Sequence, residues 1–288
     1  LRKQDEYVRG AGKSQTLFYD AETVEGAFGL KNILVQIYEV QTPREAEALI
    51  SEGVNQIGSV IVSRDRWKDG DLFNTVKTVQ ASGAKSSLIP LFSDVDDICR
   101  VIDFYRPDII HFCEILRATV SFKSRIRSVL SMQQIIRKLY PEIAITRSIP
   151  IAMPGLADLK ETLTLAQWFE PFSDFFLTDT LMLNAASSET GDQPVNGFVG
   201  ITGKICDWDV AAALVSSVRI PVILAGGISP ENACEGIIKT HAAAVDSCTN
   251  TNQLDGRGKP IRFRKDMVKV KNLLKAVRKA EEALQKNH

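Results

Sequence analysis

Short apolar runs rich in Val and Ile alternate along this chain with longer stretches whose apolar residues recur every three or four positions. Runs of the first kind suit buried strands, and stretches of the second suit helices with one face turned inward. Strands are predicted over 33–38, 56–62, 87–92, 108–113, 174–179, 220–225 and 242–248, with another inside 143–153 despite Pro150. Helices fall between them, over 72–81, 95–105, about 121–139, 156–169 and 207–217. Thr42-Pro43-Arg44-Glu45 reads as a capping box with Pro at the first helical position, so a helix follows the first strand directly. Ser229-Pro230 reads as the cap and first turn of a helix running to about Lys239. The last helix carries Met267, Val270, Leu274 and Val277 on one stripe.

Eight alternations of strand and helix imply the α/β class and a closed parallel (β/α)8 TIM barrel with right-handed crossovers. An open doubly wound sheet is the structural alternative, but no G-x-G-x-x-G follows the first strand. A length of 288 residues suits one barrel, so 32–288 is expected to form a single domain. Residues 1–31 are expected to be an extension capping the barrel's closed end, with Phe18, Tyr19 and a short helix over 21–28 behind Asp20.

Charge narrows the partners. The 35 basic and 35 acidic residues balance, which leaves no global field to draw in nucleic acid or an anionic membrane. The basic residues between Arg262 and Lys286 read as the solvated face of a helix. The five cysteines show no C-x-x-C pairing and there are only three histidines, so reduced thiols and no structural zinc are expected. No stretch approaches the roughly 20 apolar residues of a membrane span, and the first residues lack a signal-peptide core. The expectation is a cytoplasmic protein, monomer or homodimer.

The phosphate enters through two successive strand ends. Gly226 and Gly227 stop the run ending at Ala225, and the next run ends in Ser247, Cys248, Thr249 and Asn250. Turn amides with hydroxyls beside them suit a doubly charged oxyanion, and the loops after strands seven and eight of such barrels form phosphate sites. Other strand ends offer Tyr38, Glu39, Arg64, Arg66, Asp94, Cys113, Glu114 and Asp179. Asp179 closes the apolar run Phe175-Phe176-Leu177, where burial would raise its pKa and fit it to act as a general acid; a loop-anchoring carboxylate is the other reading. Glu39 and Glu114 are candidate bases or surface charges, and Arg64 and Arg66 candidate carboxylate forks or exposed loop residues. His111 and Cys113 read as packed core residues.

Gly200-Ile201-Thr202-Gly203-Lys204 with Asp207-Trp208, Pro221 to Asn232, Val245-Asp246, Val35 to Val40 before Pro43, and Leu177 to Thr180 together resemble the phosphoribosylanthranilate isomerase family over about residues 33 to 280. The resemblance implies a cofactor-free Amadori rearrangement of an aminoaldose phosphate to an aminoketose. It implies that Asp179 is the acid that opens the ribose ring. Gly226, Gly227 and Ser247 to Asn250 would cradle phosphate, while Gly203, Lys204 and Asp246 would meet substrate. One of Arg64 and Arg66 would meet the anthranilate carboxylate. The family's basic cysteine and following glycine stand here as Tyr38 and Glu39, and its Gln-Leu-His-Gly as His111-Phe112-Cys113-Glu114. A neutral phenol with a pKa of about 10 is a poor base, which leaves Glu39 or Glu114 to take that part. A phosphosugar enzyme of different reaction and a noncatalytic phosphometabolite-binding protein are the alternatives.

Overall fold

The computed structural model describes residues 32–184, 190–191 and 193–286, so the expected N-terminal extension and its helix lie outside the described residues. Eight parallel strands close in sequence order: β1 Leu34–Ile37, β2 Gln56–Ile61, β3 Lys85–Pro90, β4 Ile109–Phe112, β5 Ala144–Ala152, β6 Phe175–Leu181, β7 Val222–Leu224 and β8 Ala244–Ser247. Pairing of Leu34 with Ala244 through Ile37 with Ser247 joins the last strand to the first. The sheet is therefore the closed barrel, and the open alternative falls.

Helices α1 Pro43–Ser51, α2 Gly70–Ala81, α3 Val95–Tyr105, α4 Lys123–Leu139, α5 Leu159–Phe169, α6 Trp208–Ser217, α7 Ala233–Thr240 and α8 Met267–Lys286 surround it. Asp69, Asp94, Asp158 and Asp207 cap α2, α3, α5 and α6 by accepting backbone N–H groups of the first turn. Strand parity divides the core. Val35, Ile37, Phe112, Ile145, Phe176 and Val245 face the helices, while Tyr38, Ile89, Cys113, Leu177, Ile223 and Ala244 face the lumen.

Three local expectations need correction. Ser229-Pro230 does not open a helix: α7 begins at Ala233 behind Asn232, while the Ser229 and Glu231 N–H groups donate to Asn232 Oδ1 and Ser229 Oγ within the preceding turn. Only half of the capping box on α1 forms. Glu45 N–H donates to Thr42 Oγ1 at 3.4 Å, but the Glu45 carboxylate accepts from Lys265 N–H at 2.6 Å instead of reaching back. Finally, Arg262 and Arg264 are not on a helix. They lie on β10, Pro260–Lys265, which pairs antiparallel with β9, Asn252–Leu254, in a hairpin between β8 and α8. Burial along β10 alternates with period two, the mark of a strand.

Candidate active site

A cavity of about 60 Å³ opens at the carboxyl ends of the strands, where barrels of this architecture carry their chemistry. Its floor is Tyr38, which follows β1. The ring lies against Gly58 of β2 so closely that a Cβ there would sit 2.1 Å from Tyr38 Cδ1. The phenol oxygen is 2.5 Å from Ser87 Oγ and 2.7 Å from His111 Nδ1, and His111 Nε2 is 2.8 Å from Ser148 Oγ. Burial pushes the Tyr38 phenol well above its usual pKa. Burial, seconded by the Arg147 charge, lowers His111 to about 3. Both are therefore neutral near pH 7, and this chain of hydroxyls and imidazole positions the tyrosine and holds no ready base.

Two lumen-facing carboxyls stand above that floor. Asp179 of β6 is raised to about 7 by burial, against one lowering contact from Thr180 N–H, which donates to Oδ1 at 2.9 Å. What Asp179 exposes faces the cavity, not bulk water. Asp246 of β8 is raised well above the usual carboxylate range, first by burial and then by Asp179, with Lys265 opposing. Its Oδ1 is buried without a hydrogen-bond partner. Cys113 and Cys248 also line the cavity, and burial raises both thiols well above their ordinary value, so neither is a ready thiolate.

Glu39 turns into the cavity through a left-handed backbone, φ 63°. Arg262 binds its Oε1, Nε donating at 2.7 Å, while Oε2 is buried without a partner. The adjoining wall is made of Gly226, Gly227, Thr249 and Asn250. Asn250 and Asn232 each donate a side-chain N–H to the Gly227 carbonyl at 2.9 Å, tying the turns after β7 and β8 together.

A strap over 193–206 roofs the cavity with Val195, Phe198, Val199 and Ile201, an apolar surface that excludes water. It is zipped to the extension of β4, where Val199 N–H donates to Cys113 O at 2.8 Å and Ile115 N–H to Gly197 O at 3.0 Å. Thr180 Oγ1 fastens its other end by donating to Lys204 O at 2.6 Å. Gly200, at φ 108°, is needed because a Cβ there would lie 2.3 Å from Asp179 Oδ2.

Thus Tyr38, Glu39, Asp179, Gly203, Gly226, Gly227, Asp246, Cys248, Thr249 and Asn250 come together at one cavity. Glu114 does not: parity turns it outward to an ion pair with Arg147, buried on both sides. Arg64 faces Asp94 and Asp97, Arg66 is exposed outside the cavity lining, and so is Lys204. Ser247 is turned behind β8, where Oγ donates to Ile228 O at 2.7 Å. His111 and Cys113 are buried as expected, yet both also line the cavity, and their odd-numbered places along β4 and its continuation signal a lumen-facing side chain. No pattern in the sequence pointed to Arg262, whose partner lies 223 residues away.

Fold and cavity together define a (β/α)8 barrel with a roofed cavity at the carboxyl ends of its strands. The chain is 26% identical over 254 residues to the N-(5'-phosphoribosyl)anthranilate isomerase of Methanothrix thermoacetophila, covering 86% of this chain and 99% of that protein. With isomerase 2 of Methanosarcina mazei it shares 32% identity over 145 residues, 48% of this chain and 57% of the relative's length. Among solved structures, the N-(5'-phosphoribosyl)anthranilate isomerase from Pyrococcus furiosus superposes with a TM-score of 0.59 at 16% identity, over 87% of this chain and 100% of that one. Phosphoribosyl anthranilate isomerase from Thermotoga maritima gives 0.59 at 16%, over 86% and 99%. No family model matches the chain. The chain is thus similar to phosphoribosylanthranilate isomerases over most of its length and shares their barrel fold.

Proposed function

We propose that the chain isomerises a phosphorylated N-aryl aminoaldose to the aminoketose by acid–base catalysis without a cofactor, phosphoribosylanthranilate being the substrate its relatives' names indicate. The observation that carries this reading is Asp179, whose carboxyl keeps its proton up to about pH 7 while facing a roofed cavity. Phosphate rests on the turns at Gly226, Gly227, Thr249 and Asn250. Asp179 donates its proton to the ribose ring oxygen as the C1–O bond breaks and the nitrogen lone pair forms the C1=N iminium. Glu39 accepts the proton from C2, and that electron pair gives the enaminol. The enaminol takes a proton at C1 and loses its O–H proton to become the ketose. Asp246, with one oxygen free of partners, meets a sugar hydroxyl.

Glu39 is preferred to Glu114 as base because it lines the same cavity as Asp179, whereas Glu114 lies behind the barrel wall. Thiols free among the described residues suit a reducing, cytoplasmic setting, and no described helix is long and apolar enough to cross a membrane. Tyr38 favours one second reading: its ring fills the floor at the position where a base is expected, which suits a phosphosugar-binding protein of another activity. Turnover of phosphoribosylanthranilate, followed by loss of its fluorescence, separates the two. The expected result is turnover by the wild type and a loss of about 100-fold or more in Asp179→Asn, the scale of a missing general acid. Absence of wild-type turnover, with phosphosugars still raising the melting temperature, favours the second reading.

A further inference from the structure

Lys265 ends β10 with its side chain turned inward, 2% exposed, behind the turn that follows β8. Its Nζ donates to Cys248 O at 3.0 Å and to Asn252 Oδ1 at 2.5 Å, both uncharged oxygens, and among the described residues no carboxylate closes an ion pair on it. Its backbone is held as well: Lys265 N–H donates to Glu45 Oε1 at 2.6 Å, and Lys265 O accepts from Gln253 Nε2 at 3.1 Å. A buried ammonium facing only carbonyl dipoles is unfavourable unless a charge of opposite sign comes near.

The cavity lacks the matching positive charge. Among the described residues no lysine or arginine lines it, whereas Glu39, Asp179 and Asp246 do, and the nearby Arg262 is engaged by Glu39. A dianion resting on the turns therefore needs its counter-charge from behind the wall. Lys265 stands there, across the Cys248–Thr249 peptide from the cavity that Cys248, Thr249 and Asn250 line. Its field reaches that wall, since it opposes the upward shifts of the Asp246 carboxyl and the Cys248 thiol. Thr251 Oγ1 also donates to Cys248 O, at 3.0 Å, so this carbonyl is fixed pointing back toward the hairpin. In a planar trans peptide the N–H points opposite to the C=O. Thr249 N–H thus points away from Lys265, and no acceptor for it is found among the described residues.

We propose that Lys265 is a positioning residue for the phosphate that it does not touch: its ammonium holds the Cys248–Thr249 peptide from behind, presents the Thr249 N–H to the phosphate and supplies the positive charge that the dianion offsets. This rests on the phosphate turns of the functional reading above and names the cation that serves them.

The test is calorimetric titration of inorganic phosphate into the wild type, Lys265→Met and Lys269→Met. Lys269→Met removes the same formal charge from the same stem, where Lys269 Nζ donates to Asn252 O at 2.7 Å, but Lys269 is only half-buried and does not stand behind the cavity wall. Lys265→Met should weaken phosphate binding about tenfold or more, because a buried charge is poorly screened, and Lys269→Met no more than about twofold. With phosphoribosylanthranilate the loss in Lys265→Met should fall on KM with kcat nearly kept, as for binding shared by ground and transition states; a loss confined to kcat counts against the assignment. In the wild type, saturating phosphate should move the Thr249 amide proton downfield in NMR spectra. Should Lys265→Met fail to fold, that signal decides, and an unmoved Thr249 amide in a protein that binds phosphate overturns the assignment. Equal phosphate affinity in wild type and Lys265→Met, or an equal loss in Lys269→Met, overturns it too. A wild type that binds no phosphate overturns the phosphate turns of the functional reading, and the assignment falls with them.

Discussion

Asp179 places a carboxyl where ionising it is unfavourable, and the same burial that fits it to donate a proton weakens the folded state at higher pH. Its folded pKa of about 7 lies above the value of about 3.9 for a free aspartate. Between these values the folded chain holds a proton that the unfolded chain has lost, so stability falls as pH rises through the window and levels off above it. Asp179→Asn carries no such proton. Its melting temperature relative to wild type should climb from pH 4 to about 7 and then stay level; a difference flat in pH would mean the carboxyl is not buried in solution. Tyr38 offers a second test. In Gly58→Ala the new Cβ meets a ring held at both its neighbours' hydrogen bonds, and a cost of about 3 kcal/mol is expected in urea unfolding. In a Tyr38→Cys background the same change should be nearly free, a coupling that simple additivity of the two changes would contradict. The sequence made Asp179 legible because it ends an apolar strand, but it hid the fit of Tyr38 over Gly58, which belongs to two strands at once.

Strands and helices were legible wherever one period governed the residues. Parity carries further than element boundaries: counting inward-facing positions along β4 puts His111 and Cys113 in the lumen and Glu114 outside, and on β8 it separates Asp246 from Ser247. Glu39 escapes this count because its left-handed backbone turns it back into the mouth. The hairpin was missed because its basic residues abut α8 and were absorbed into its charged face, although β10 alternates with period two. Behind the wall, β4, β5 and α4 meet at a buried ion pair of Glu114 with Arg147, to which Gln133 Oε1 and Ser93 Oγ add hydrogen bonds at 2.8 Å. The Phe112 and Phe169 rings flank the guanidinium, with centres 5.1 and 5.0 Å from its central carbon. Arg147→Met strands a buried carboxylate and should cost about 3–5 kcal/mol in denaturant unfolding. The Arg147→Met, Glu114→Gln double variant should recover much of that, since no charge is left buried; a double variant as unstable as the single would show that shape, not charge, is what the pair supplies.

At the scale of the whole molecule, closure depends on chain ends that meet. β8 pairs with β1, and α8 then crosses from the stem of the hairpin to the start of β1, where Ile33 N–H donates to Glu281 Oε1 at 2.6 Å. Val270, Leu273, Leu274, Val277, Ala280 and Leu284 are buried along α8, continuous with the layer that holds α1 and α7. Removing α8 exposes those side chains at about 1.5–3 kcal/mol for each large one, a total comparable with the ~5–15 kcal/mol that separates folded from unfolded domains. The barrel should therefore behave as one domain: a chain ending after Asp266 is expected to show no cooperative thermal transition. Glu281→Ala, which removes only the acceptor for Ile33, should melt in a single transition with a loss of about 1–3 kcal/mol. The turns proposed to hold phosphate lie at the opposite face from Ile33, so under that reading a one-domain barrel requires phosphate to raise the melting temperature of Glu281→Ala and of wild type by the same amount. Two separable transitions, or a folded fragment lacking α8, would instead divide the barrel into units that fold independently.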